Sequence, residues 1–81
     1  MKILNLYACL GGNRYKWDEV ANIEVTAVEL DSELAKMYQE RFPKDKVIVA
    51  DAHQYLLDHY LLLIDSATVL VYHAICHVIL L

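Results

Sequence analysis

Glycine and proline are scarce in this chain, with two glycines and one proline among 81 residues. That excludes a collagen-like or low-complexity chain, and it leaves few turn residues between regular elements. Cysteine is equally scarce. Cys9 and Cys76 stand far apart, so neither a disulfide framework nor a zinc-finger spacing is present. A reducing cytoplasm is the expected compartment. Basic charge is in deficit too: seven Lys and Arg stand against eleven Asp and Glu, a net charge of -4. A chain that grips nucleic acid through its own basic surface is therefore not expected. No lysine or arginine follows Lys46, and Ser66 to Leu81 carries no formal charge. The N-terminal run Ile-Leu-Asn-Leu-Tyr is broken by Asn5, which is not the pattern of a secretory signal.

What is abundant is apolar: hydrophobic residues make up 58% of the chain. A chain of this size can bury only about 60–65% of the surface it exposes when unfolded. One small domain with a modest core is the expectation, and disorder is not.

Apolar runs alternate with amphipathic ones. Lys2 to Tyr7 and Lys46 to Ala50 are short and nearly continuous in apolar residues, and Ile23 to Leu30 is rich in β-branched ones. All three suit strands, the first of them one buried on both faces. Arg14 to Ala21 can form a short helix with Trp17 and Val20 on one side. Asp31 or Ser32 can cap a helix to about Arg41, with Leu34, Met37, Tyr38 and Arg41 at spacings of three and four. Leu34, Met37 and Trp17 are expected in the core; Lys36, Glu40 and Lys44 are expected on a solvated face. Pro43 stops that helix and Lys44-Asp45 makes the turn. Asp51 and Gln54 then offer a capping pair for a third helix to about Tyr60. Strand and helix in strict alternation imply an α/β fold, a parallel sheet with flanking helices and right-handed crossovers.

From Leu61 to Leu81 the pattern is ambiguous. It admits a fourth strand at about Thr68 to Tyr72, a helix, or association with other chains through an apolar tail. Its length approaches the ~20 apolar residues of a membrane span, but Asp65, His73 and His77 speak against insertion. His73, Cys76 and His77 fall close together, yet no acid accompanies them, so no metal site is expected.

In open parallel sheets, ligands bind beyond the carboxyl ends of the strands. Three features fall there. The first strand leads into Cys9-Leu-Gly-Gly, the second ends at Glu29 and the third at Asp51. Paired glycines let a backbone approach a ligand. A carboxylate about twenty residues past such a loop suits both ribose hydroxyls. One after the third strand suits a purine amine. The dinucleotide fingerprint Gly-x-Gly-x-x-Gly is incomplete, because Cys9 holds the first glycine place. Two acids also favour a cationic sulfonium nucleoside over a pyrophosphate. These features together describe a pocket for an adenosine moiety and favour S-adenosylmethionine over NAD.

Ile3-Leu-Asn-Leu-Tyr-Ala-Cys-Leu-Gly-Gly resembles the first motif of the DNA (cytosine-5-)-methyltransferases, a hydrophobic strand ending in Asp-Leu-Phe-x-Gly-x-Gly-Gly. Val28-Glu-Leu-Asp resembles the second motif and Val49-Ala-Asp-Ala the third. The likeness covers about residues 1 to 60. It implies a Rossmann-like, truncated methyltransferase domain over 1–60, with 61–81 as an apolar tail, a fourth strand or a frame-shifted end. The cofactor-binding set it implies is Tyr7, Ala8, Cys9, Gly11 and Gly12 from the first motif, Glu29 and Leu30 from the second, and Asp51 and Ala52 from the third. Glu29 would hold the ribose and Asp51 the adenine amine. The family's Pro-Cys nucleophile, which attacks cytosine at carbon 6, has no counterpart here: Cys76 follows Ile75, and Asn5 and Cys9 depart from the first motif. The resemblance therefore implies cofactor binding without methyl transfer by this chain alone. DNA would be met only through a complete enzyme. Two other readings stay open: another S-adenosylmethionine-dependent methyltransferase, or a non-enzymatic chain that acts by association.

Overall fold

In the computed structural model of the chain, residues 1–9, 11–12, 14, 17–20 and 22–72 are described. Four strands form one sheet: β1 (Lys2–Leu6), β2 (Glu24–Glu29), β3 (Lys46–Val49) and β4 (Val69–Tyr72). Their spatial order is β3-β2-β1-β4, and every pairing is parallel. Two helices, α1 (Ser32–Arg41) and α2 (Ala52–Asp65), complete an α/β fold.

The order dictates the layers. From β2 the chain steps outward to β3, then returns past β2 and β1 to reach β4. Right-handed crossovers in opposite directions put their helices on opposite faces. Side chains alternate to match. Leu4, Leu6 and Val28, with half-buried Ile48, pack with Ala52, Tyr55, Leu56 and Leu63 of α2. Ala8 and Ala27, with Val47, pack with Tyr38 of α1 and with Phe42 just beyond it. Both faces of β1 and β2 are therefore covered, as in parallel sheets flanked by helices.

Each helix starts on an aspartate. Asp31 accepts from the backbone N–H of Glu33 and Leu34, at 2.9 and 3.2 Å. Asp51 accepts from that of Gln54 at 2.9 Å. The second half of a capping box is missing, because the Gln54 amide turns forward and donates to Asp58 at 2.8 Å.

Three expectations need correction. Among the described residues of the helix expected over Arg14–Ala21, the one regular element is a 3₁₀ turn at Trp17–Glu19. The connection advances instead by repeated i to i+3 hydrogen bonds: Gly11 N–H to Ala8 O, Arg14 to Gly11, Trp17 to Arg14 and Val20 to Trp17, all 2.9–3.0 Å. Of the described apolar residues there, Trp17 is half-buried and Val20 exposed, which gives an α-helix little to hold it against the sheet. Met37 is 49% exposed rather than core; the buried side of α1 is Ala35 and Tyr38. Finally, α2 does not stop near Tyr60 but runs to Asp65, and Ser66 ends it. The fourth strand then follows at Val69–Tyr72. No described helix is long and apolar enough to cross a membrane.

Candidate functional site

Parallel pairing places the carboxyl ends of β1, β2 and β3 at one side of the sheet, and each expected site residue sits there. The loop after β1 begins as an extension of the ladder, with Ala8 N–H bonded to Val28 O at 3.1 Å. It then turns sharply. Tyr7 and Cys9 have φ of 56° and 54°, the left-handed region that glycine enters freely and other residues enter at a cost. Cys9 thus occupies a glycine-like conformation in the very place where the resembled motif has glycine. Gly11, with φ 84°, is buried against α1. A Cβ there would collide with the Phe42 ring and lie 3.1 Å from the Tyr38 ring. Its missing side chain makes room for packing inside the protein. Gly12 is exposed.

Glu29 has an internal task. It is 1% exposed. Oε1 accepts the Cys9 backbone N–H and Oε2 that of Asp31, each at 2.8 Å. One carboxylate therefore ties the first loop to the start of α1, using charge-assisted bonds. Beside it, Leu30 is 64% exposed. Ala50 N–H reaches Glu29 O at 3.2 Å, which brings the β3 end alongside. Asp51 is exposed and caps α2 through Oδ1. Ala52 is core, as is Ala8, and Tyr7 packs against the α2 side of the core. The sequence-derived set is thus brought to one end of the sheet, but it divides by role. Asp51, Leu30 and Gly12 face outward. Cys9 is half-buried. Glu29, Gly11, Ala8 and Ala52 are built into the interior. His73, Cys76 and His77 lie outside the described residues.

Two cavities open at the opposite end. One, about 210 Å³, is lined by Lys2, Thr26, Tyr55 and Thr68 among others; a shallower one of about 660 Å³ is lined by Met1, Asn22, Glu24 and Ala67 among others. Neither touches the loop, Glu29 or Asp51.

A buried polar cluster was not visible in the sequence. Arg14 is 3% exposed. Its Nε donates to Asp45 Oδ2 at 2.8 Å and its Nη2 to Asp45 Oδ1 at 2.9 Å. The Tyr38 hydroxyl donates to Asp45 Oδ2 at 2.6 Å, and Asn5 bonds the same phenol. Burial, then the bond to Asp45, pushes the Tyr38 phenol well above its ordinary range. The bond to Asp45 likewise raises Arg14 further. The guanidinium lies 4.9 Å from the Phe42 ring centre and 5.9 Å from that of Trp17, and Nη1 is buried without a hydrogen-bond partner. In sequence, Asp45 reads as one more charge in a Lys-Asp-Lys turn. Only the chain's return past Arg14 buries it. The cluster holds the β1–β2 connection onto α1 and contributes to the loop's position, not to its chemistry.

No protein-family model matches the sequence, and no curated protein matches it.

Proposed function

We propose that the carboxyl end of this sheet is an S-adenosylmethionine site of the kind used by DNA (cytosine-5-)-methyltransferases, in a Rossmann-like domain of cytoplasmic location. The observation that carries this reading is the coincidence of strand order and acid placement. An all-parallel β3-β2-β1-β4 sheet has its switch point beside β1, where α/β folds take their ligands. Glu29 and Asp51 stand at the ends of the next two strands. The glycine-like φ of Cys9 supports the match to the first motif, since it gives that motif's glycine a conformational reason.

The residues fit the cofactor in part. Asp51 uses Oδ1 as a cap, and its other oxygen can accept from an adenine amine. Glu29 is committed to the backbone N–H groups of Cys9 and Asp31 and is 1% exposed, so it shapes the site from within while Asp51 faces the nucleoside. The cofactor would supply an electrophilic methyl group. Transfer to cytosine also needs a thiolate, and the one proline, Pro43, precedes Lys44 rather than cysteine. These residues therefore contribute binding, and the nucleophile would be supplied from outside them.

The test is a calorimetric titration with S-adenosylmethionine, with NAD as control, on wild type and Asp51→Asn. Asparagine caps a helix as well as aspartate, so the fold is kept. Its amide, however, turns a donor toward the adenine amine. Losing a charged hydrogen bond of about 1.5–3 kcal/mol would weaken binding roughly 10- to 150-fold. Binding of S-adenosylmethionine alone, weakened in the variant, supports the proposal. No binding by the folded chain removes it.

A further inference from the structure

Basic charge is scarce in this chain, yet it gathers in one place. Of seven Lys and Arg, Arg14, Arg41, Lys44 and Lys46 border two cavities of about 190 and 320 Å³ that share Arg14, Asp18, Lys44 and Asp45. They lie where α1 turns into β3, at the amino end of that strand, whereas Asp51 follows its other end. The smaller cavity sets three cations, Arg14, Arg41 and Lys44, against two acids, Asp18 and Asp45. Both acids are already engaged. Asp45 takes Arg14 and the Tyr38 hydroxyl, and Asp18 takes Arg14 Nη2 at 3.1 Å. The carbonyls of Phe42 and Asp45 accept from the Gln39 amide at 3.2 and 2.8 Å, which offsets the partial negative charge at the end of α1. What is left over is a donor. Arg14 is 3% exposed, and its Nη1 has no hydrogen-bond partner among the described residues. The rings of Phe42 and Trp17 attract the charge but offer no acceptor oxygen. A donor left unmet inside a protein is rare and costly.

We propose that the smaller cavity binds a phosphate group, whose oxygens are taken by Arg14 Nη1, Arg41 and Lys44. Arginine presents a planar fork of donors to such an anion, and lysine a point charge. Donors from three separate positions suit a tetrahedral oxyanion better than a planar carboxylate, which two would fill. The volume is ample, since ~10–15 Å³ already admits one water. A water would meet one N–H of Arg14, but it would not account for Arg41 and Lys44 at the same cavity. The proposal does not depend on cofactor binding at the carboxyl end of the sheet.

Trp17 is the one tryptophan of the chain, and the Arg14 guanidinium lies 5.9 Å from its ring. Its fluorescence therefore reports on the cavity. The full chain is titrated with inorganic phosphate, glycerol phosphate and acetate, each at constant ionic strength in chloride. Binding is read rather than thermal stability, because phosphate stabilises folded proteins in general by exclusion from their surface. Both phosphates are expected to give a saturable change with a Kd on the order of 1 mM, and acetate none. A tighter ester places the group on an organic molecule; equal affinity points to the free ion. Lys44 is exposed, so Lys44→Glu should keep the fold by circular dichroism and weaken binding at least about tenfold. Lys36→Glu makes the same charge change at an exposed lysine outside the cavity lining, and should alter binding by less than about twofold. Should Lys44→Glu misfold, Lys44→Ala carries the same direction of change. A folded wild type that shows no saturable response overturns the proposal. So do binding indifferent to both Lys44 variants, an equal loss in Lys36→Glu, and an equal response to acetate.

Discussion

Replacing Asp45 with asparagine should unfold much of this protein's margin of stability in a single step. The side chain is isosteric, so packing is kept and only the charge and acceptor count change. Asp45 takes three donors: Arg14 Nε at 2.8 Å, Arg14 Nη2 at 2.9 Å and the Tyr38 hydroxyl at 2.6 Å. Asparagine offers one acceptor oxygen and points an NH₂ at a second donor. The Arg14 guanidinium then stays buried with Asp18 as its remaining acid, and Asp18 is 71% exposed. Removing one partner of a buried pair costs about 3–5 kcal/mol. The whole stability expected of 81 residues is only about 4–12 kcal/mol. With a urea slope near 1 kcal/mol/M for so small a domain, the midpoint should fall by roughly 3 M or the chain should be unfolded in buffer. Urea melts followed by circular dichroism measure this directly. The double variant Arg14→Met/Asp45→Asn should regain part of the loss, because no unpaired charge is left inside. A midpoint shift below about 0.5 M for Asp45→Asn, or no recovery in the double variant, would refute the assignment of this cluster as a buried determinant of the fold.

Two further outcomes follow from the same geometry. Cys9 has φ 54°, so Cys9→Gly relieves about 1–2 kcal/mol of left-handed strain against the roughly 0.5–1 kcal/mol by which glycine favours the unfolded chain; Cys9→Val should be less stable than both, and thermal melts that reverse this order would contradict the strain. Tyr38 holds its proton to higher pH than an unfolded tyrosine, which titrates near pH ~10. Above that pH the folded chain therefore binds the extra proton. Stability that is complete below pH ~10 then declines by up to ~1.4 kcal/mol per pH unit. Urea melts at pH ~9 and ~11 should show wild type losing about 1 kcal/mol more than Tyr38→Phe over that range.

Much of the frame can be read without coordinates, because strand and helix periods differ and the aspartates at 31 and 51 mark helix starts by type and position. The fourth strand was ambiguous for a physical reason: an uncharged apolar run has no period to choose between strand and helix. The length of α2 was hidden by the same lack of contrast, since Leu61 to Ile64 is apolar on every side. At the site, the residues were legible but their directions were not. Glutamate at a strand end gives no sign of whether it will serve a ligand or two backbone amides, and Glu29 serves Cys9 and Asp31. Gly11 reads as an opening for a ligand, yet the space it leaves is filled by Tyr38 of α1 and Phe42 just beyond it. Such placements depend on side chains about thirty residues away, beyond the reach of any local pattern.

The position of β1 bears on how the protein is made. Of the four described strands it is made before the other three and lies inside the sheet, and its pairing with β4 sets Leu6 beside Tyr72. At ~5–20 residues per second, synthesis of the intervening chain takes several seconds. Throughout that interval one edge of β1 has no native partner. Pairings this distant in sequence also form slowly once the chain is complete. Yield on expression should therefore depend on temperature and on chaperone supply more steeply than the stability of the finished fold would suggest, and the vulnerable species is the nascent chain rather than the native one.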